Sequence, residues 1–68
     1  MPDSSLSLEL REALDQLKAD EREIVLMSVV AGLKSREIAT VFGMTAGSVR
    51  SKLSRSLSKM RKFLETQS

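Results

Sequence analysis

Residues 34–64 read KSREIATVFGMTAGSVRSKLSRSLSKMRKFL. A short helix, a tight turn at Gly43 and a longer basic helix follow from this stretch. Ala39, Gly43 and Val49 stand at the spacing of a helix-turn-helix: a small residue where two helices cross, a glycine at the turn and an apolar residue on the inner face of the second helix. A residue without a Cβ enters the left-handed region at little cost, so Gly43 is expected to end the first helix. Thr45 suits the N-cap of the second, because its hydroxyl accepts a hydrogen bond from a free backbone N–H. In such a motif the second helix lies in the major groove of DNA.

The basic helix is expected from about Ala46 to Leu64. Val49, Leu53, Leu57, Met60 and Leu64 form its inner stripe at helical intervals. Gly47, Ser51, Ser54, Arg55, Ser58 and Lys62 fall on the opposite face, flanked by Arg50 and Lys52. Arg50, Ser51 and Arg55 lie within the first three turns, the part of a recognition helix that reaches base edges, and are expected to contact bases. Arginine suits guanine, since its planar fork donates to O6 and N7 together. Lys34, Ser35, Arg36, Thr45, Ser48, Lys52 and Ser54 lie at helix starts or along the groove wall and are expected to touch the DNA backbone. Lys59, Arg61 and Lys62 lie further along and are assigned only long-range attraction.

Upstream, Leu6, Leu10, Ala13, Leu14 and Leu17 make one stripe of an amphipathic helix that Ser5 or Ser7 would cap. Lys18 and Ala19 mark a break. Asp20 then opens a second helix, with Glu23 three residues on in a capping-box pattern. The run IVLMSVVA from Ile24 to Ala31 is apolar on almost every side, more than one core face uses. Val25, Val29 and Val30 are therefore candidates for an apolar docking surface. Gly32 is the expected stop, and a third helix over Leu33–Phe42, started by Ser35 or the backbone at Lys34, turns Ile38, Val41 and Phe42 inward. The fold class is all-α, four helices with a C-terminal helix-turn-helix. Its expected inner residues are Leu10, Leu14, Leu17, Ile24, Leu26, Ile38, Ala39, Phe42, Val49, Leu53 and Leu57.

With 68 residues the chain makes one small, monomeric domain, taken as residues 6–65 between frayed ends at 1–5 and 66–68. It has no cysteine and no histidine, which removes disulfides, thiolate metal sites and the commonest general base. No nucleophile–base pair or metal cluster stands out, so neither an enzyme nor a cofactor or metal is expected. No apolar run approaches the roughly 20 residues of a membrane span, and a reducing, cytoplasmic setting is the expectation. The net charge of +2 is divided unevenly. Residues 1–33 hold three basic and seven acidic residues, net −4, whereas residues 34–68 hold eight basic and two acidic, net +6. A basic half favours a polyanionic partner.

From Leu14 to Glu65 the chain resembles region 4 of the bacterial sigma factors, especially the extracytoplasmic-function group. The matching segments are DEREIVLMSVVAGL and REIATVFGMTAGSVRSKLSRSLSKMRKFL. The most specific part is GSVRSKLSRSL, from Gly47 to Leu57, which is similar to the family's Gly-Thr-Val-Lys/Arg-Ser-Arg-Leu pattern. The resemblance implies binding of the −35 promoter element through the second helix of the motif and docking on the flap of the RNA polymerase beta subunit, with Val25, Val29 and Val30 the docking candidates. It also admits an anti-sigma factor as partner. Three positions depart from the family pattern. Lys34-Ser35-Arg36-Glu37 stands where a serine and two acidic residues are usual, Ala19 where proline is frequent, and Ser54 where a larger residue is common. Region 2, which binds the −10 element, lies outside these residues, so an excised domain or a stand-alone region 4 protein is expected. Two other readings exist. A LuxR-type output domain has a similar helix count but usually a Thr-x-Arg-Glu lead-in and a shorter basic helix. A module binding only protein would not need the charged face around Arg50 and Arg55.

Overall fold

The computed structural model describes residues 8–67, with Gln67 described in its backbone alone. Four helices follow in order: α1 (Leu8–Leu14), α2 (Ala19–Val25), α3 (Ser35–Phe42) and α4 (Ala46–Gln67). No strand occurs among the described residues. α2 runs on into a wider π-helical turn over Leu26–Val30. α1, α2 and α3 all pack on α4, which spans the domain. The expected first-helix residues Ser5, Leu6 and Ser7 lie outside the described residues.

Each helix boundary has a local cause. α2 and α3 begin with the same device, Lys-x-x-Glu. The Glu21 carboxylate accepts the N–H of Lys18 at 3.0 Å, and that of Glu37 accepts the N–H of Lys34 at 2.8 Å. In each case the glutamate satisfies the backbone N–H that a capping box ties back. The cap of α2 thus falls on Lys18 and Glu21, two residues earlier than the expected Asp20 and Glu23. α3 starts at Ser35 with Lys34 as its cap, as its start signal predicts. α1 ends at Leu14 because the next backbone bonds tighten: Gln16 N–H donates to Ala13 at 3.1 Å and Leu17 N–H to Leu14 at 3.0 Å, three residues back instead of four. Leu17 is nevertheless buried. Gly32 (φ 74°) and Gly43 (φ 66°) take the left-handed conformation after the second and third helices, as their positions predict. After Gly43, the Met44 N–H returns to the Ala39 carbonyl at 2.9 Å.

Among the described residues the core has two clusters, with Leu53 common to both. Ala13, Leu14, Leu17, Val25 and Met60 form the first; Ile24, Ile38, Ala39 and Val49 form the second. Leu53 packs against both. Neighbours on α2 divide between them, Ile24 into one and Val25 into the other, so α2 is wedged where the clusters meet. Arg22 fastens this wedge to α1, its Nε donating to the Leu14 carbonyl at 3.4 Å.

Three apolar residues sit differently from the expected pattern. Val25 is buried at 3% exposure and is core, so it is withdrawn from the docking surface. Val41 is exposed at 62%: burial of Ile38, Ala39 and Phe42 centres the inner face of α3 about 100° away from it. Leu57 is exposed at 41% because the inner stripe of α4 runs Val49, Leu53, Ser56, Met60, and this four-three-four step turns Leu57 to the flank. Ser56 is fully buried, and its hydroxyl donates to the Lys52 carbonyl one turn back at 2.7 Å.

Candidate nucleic-acid interface

The turn between α3 and α4 sets the direction of the basic helix. Thr45 is the residue before α4, and its Oγ1 accepts the Ser48 N–H at 3.1 Å, the cap its position predicts. The Thr45 hydroxyl in turn donates to Ser48 Oγ at 3.0 Å. This leaves the Ser48 hydroxyl hydrogen to donate elsewhere. Both residues are exposed, so the cap and an outward contact are compatible.

Along the outer face of α4, Arg50, Ser51, Ser54 and Arg55 are exposed and line one shallow depression. A second depression beside it is lined by Met44, Thr45, Gly47, Ser48, Ser51, Lys52 and Arg55. Ser51 and Arg55 belong to both, so the surface is one continuous strip with no acidic lining residue. At about 100° per residue, Gly47, Ser51 and Ser54 make a low ridge opposite the core, with Arg50 on one flank and Arg55 on the other. Among the described residues neither arginine has a carboxylate partner. Two cations with no internal neutralisation, separated by hydroxyls, fit a phosphate-walled groove.

The other basic residues divide. Lys34 and Arg36 are exposed at the start of α3 and line neither depression of the α4 strip, and Ser35 is half-buried as the first residue of that helix. Lys52 is engaged: its Nζ lies 2.9 Å from Asp20 Oδ2. Lys59 is paired as well, 3.3 Å from the Glu21 carboxylate. These contacts bind the flank of α4 to the first turn of α2, a relation between residues 32 and 38 positions apart that helix periodicity does not reveal. The Lys52 ammonium holds the Asp20 carboxyl below its ordinary range, and the backbone N–H of Lys18, with Lys59 adding to it, does the same for Glu21. A DNA contact by Lys52 would require it to share or leave Asp20. Lys59, expected to act at long range, is first a structural cation.

Away from this strip, Val29 and Val30 are exposed at 59% and 54% in the wide turn that ends the second helix. Of the three expected docking residues, these two are at the surface. No group of three or more acidic, histidine or cysteine residues suited to a metal occurs among the described residues. No described helix is long and apolar enough to cross a membrane.

Residues 7–60, which take in α1 to α3 and most of α4, match the family described as "Sigma-70, region 4". The chain belongs to this family. Among its curated relatives is "ECF RNA polymerase sigma factor SigE" of Mycolicibacterium smegmatis, 35% identical over 66 residues, covering 97% of this chain and 26% of that protein. "RNA polymerase sigma factor CarQ" of Myxococcus xanthus is 39% identical over 62 residues, covering 91% of this chain and 36% of the relative. "ECF RNA polymerase sigma factor SigD" of Mycobacterium bovis is 38% identical over 52 residues, or 76% and 24% respectively. This region 4 chain thus spans between about a quarter and about a third of the length of the relatives it matches. The family match covers the turn, the Thr45 cap and the whole arginine–serine strip.

Proposed function

We propose that this region 4 domain binds the −35 element of bacterial promoters through α4 and links it to RNA polymerase during transcription initiation. The observation that supports it most is the strip of Arg50, Ser51, Ser54 and Arg55. It is exposed, free of carboxylates and carried on a helix whose other side is anchored in both core clusters. Arg50, Ser51 and Arg55 read base edges. Lys34, Ser35, Arg36, Thr45, Ser48 and Ser54 contact the backbone, and Lys52 joins them at the expense of its pair with Asp20.

Val29 and Val30 form the apolar contact for the beta-subunit flap. An anti-sigma factor, where one exists, would silence the domain by covering either surface. The domain, residues 6–65, acts as a monomer in the cytoplasm. The test is titration of the chain against a duplex it selects from a randomised pool, at several salt concentrations. A steep linear fall of log affinity with log salt, and weaker binding to a scrambled duplex, are expected. Absence of binding to any duplex at low salt would sink the reading.

A further inference from the structure

The chain has three glycines, and the fold accounts for two of them. Gly32 and Gly43 have positive φ and end helices. Gly47 does neither. It lies inside the first turn of α4, outside the positive-φ region, and a Cβ built on it meets no atom within 4 Å. Glycine inside a helix destabilises it relative to alanine, and nothing among the described residues requires the missing side chain. Gly47 is exposed, at the edge of the depression that Thr45, Ser48, Ser51 and Arg55 share. With Ser51 and Ser54 it makes the low ridge between the two unpaired arginines.

We infer that Gly47 is a positioning residue for DNA: its bare backbone is where the duplex comes closest to α4, and that contact sets the depth at which Arg50 and Arg55 enter the groove. This rests on the DNA-binding reading above. A methyl group at residue 47 would meet the duplex first and hold the helix away from it. Ser51 and Ser54, the next residues on the ridge, are small enough to keep the same approach open. The arginines on the flanks then reach inward past the ridge, and a small outward displacement of the helix lengthens both reaches at once.

The experiment compares the 68-residue chain with its Gly47→Ala and Gly47→Leu variants. Thermal unfolding is followed by circular dichroism, and affinity is measured on the duplex selected by the wild-type chain and on a scrambled one. Gly47→Ala is expected to unfold at a higher temperature yet bind the selected duplex about tenfold more weakly, with a smaller loss on the scrambled duplex. Gly47→Leu, also a good helix former, is expected to lose more. A variant that gains stability while losing affinity cannot be explained by damage to the fold. Unchanged or tighter binding by Gly47→Ala would overturn the inference, and so would a lower unfolding temperature, which would give Gly47 a role within the fold. A wild-type chain that binds no duplex would instead overturn the DNA-binding reading, and this inference with it.

Discussion

Lys52 Nζ and Asp20 Oδ2 lie 2.9 Å apart, joining the proposed recognition helix to the first turn of α2. The pair gives the acidic half of the chain a direct hold on the basic half. On the proposed DNA-binding reading, Asp20 would compete with phosphate for Lys52. Replacing Asp20 by Asn is therefore expected to tighten binding to any duplex and to steepen the salt slope by about one unit. Adding Lys52→Ala should remove that gain. A loss of affinity in Asp20→Asn would show instead that the pair aligns α4 for binding.

Acid should loosen the same junction. Both Asp20 and Glu21 have carboxyl groups held below their ordinary values, the first by Lys52 and the second by the Lys18 N–H. A lowered folded-state value means that the contribution to stability is present above the ordinary carboxylate range and is lost as pH falls through and below it. The unfolding temperature should therefore drop from neutral to acid pH. In the Asp20→Asn/Glu21→Gln variant it should start lower and drop less. Parallel pH profiles for the two proteins would contradict this.

The burial of Ser56 in place of Leu57 gives a test of packing. Ser56 is fully enclosed, so Ser56→Leu is expected to destabilise by roughly 1–3 kcal/mol through overpacking. Leu57→Ala should cost well under the roughly 2–5 kcal/mol expected for Leu14→Ala, since Leu57 remains 41% exposed and Leu14 5%. Chemical denaturation of the three variants measures both. A Leu57→Ala loss as large as that of Leu14→Ala would place Leu57 in the core after all.

Periodicity and capping chemistry made the four helices legible, because each has a local cause within a few residues. Gly43 and Thr45 are the clearest cases: each has one backbone or hydroxyl role, and each fills it. Where the pattern misled, two helical registers competed. The intervals of α4 admit either Ser56 or Leu57 on the inner stripe, and hydrophobicity favours leucine. Packing decides otherwise, because Val49, Leu53 and Met60 centre the buried face nearer to residue 56. Val25 was misplaced for a related reason. An all-apolar run does not say which side is core, and α2 faces two clusters rather than one. The ion pairs of Lys52 and Lys59 escaped because pairing across 32 and 38 residues depends on how helices cross. The arginine–serine strip was readable since one helix carries all of it.

Contacts to bases and to phosphates should separate in binding data. Arg55→Ala is expected to cost roughly 1–3 kcal/mol on the selected duplex and little on a scrambled one. Arg36→Ala should weaken both about equally and lower the salt slope by about one unit. Equal losses from Arg55→Ala on the two duplexes would make Arg55 a phosphate contact and move specificity to Arg50 and its neighbours.

Two valines four residues apart should behave oppositely when given a charge. Val25 is 3% exposed and packs with Leu14, Leu17 and Met60, so Val25→Asp buries an unpaired carboxylate and should unfold the domain. Val29 is 59% exposed, and Val29→Asp leaves its carboxylate in water. That variant should keep the helical circular dichroism and the DNA affinity of the wild type. It should also lose binding to the beta-subunit flap, because a charge would then have to be desolvated against an apolar surface. Circular dichroism, DNA titration and a pull-down with the isolated flap separate the three properties. If Val29→Asp unfolds, the wide turn is part of the core. If it folds and still binds the flap, the docking surface lies elsewhere, and the other exposed apolar side chains, Leu8, Val41 and Leu57, are the next to be charged in the same way.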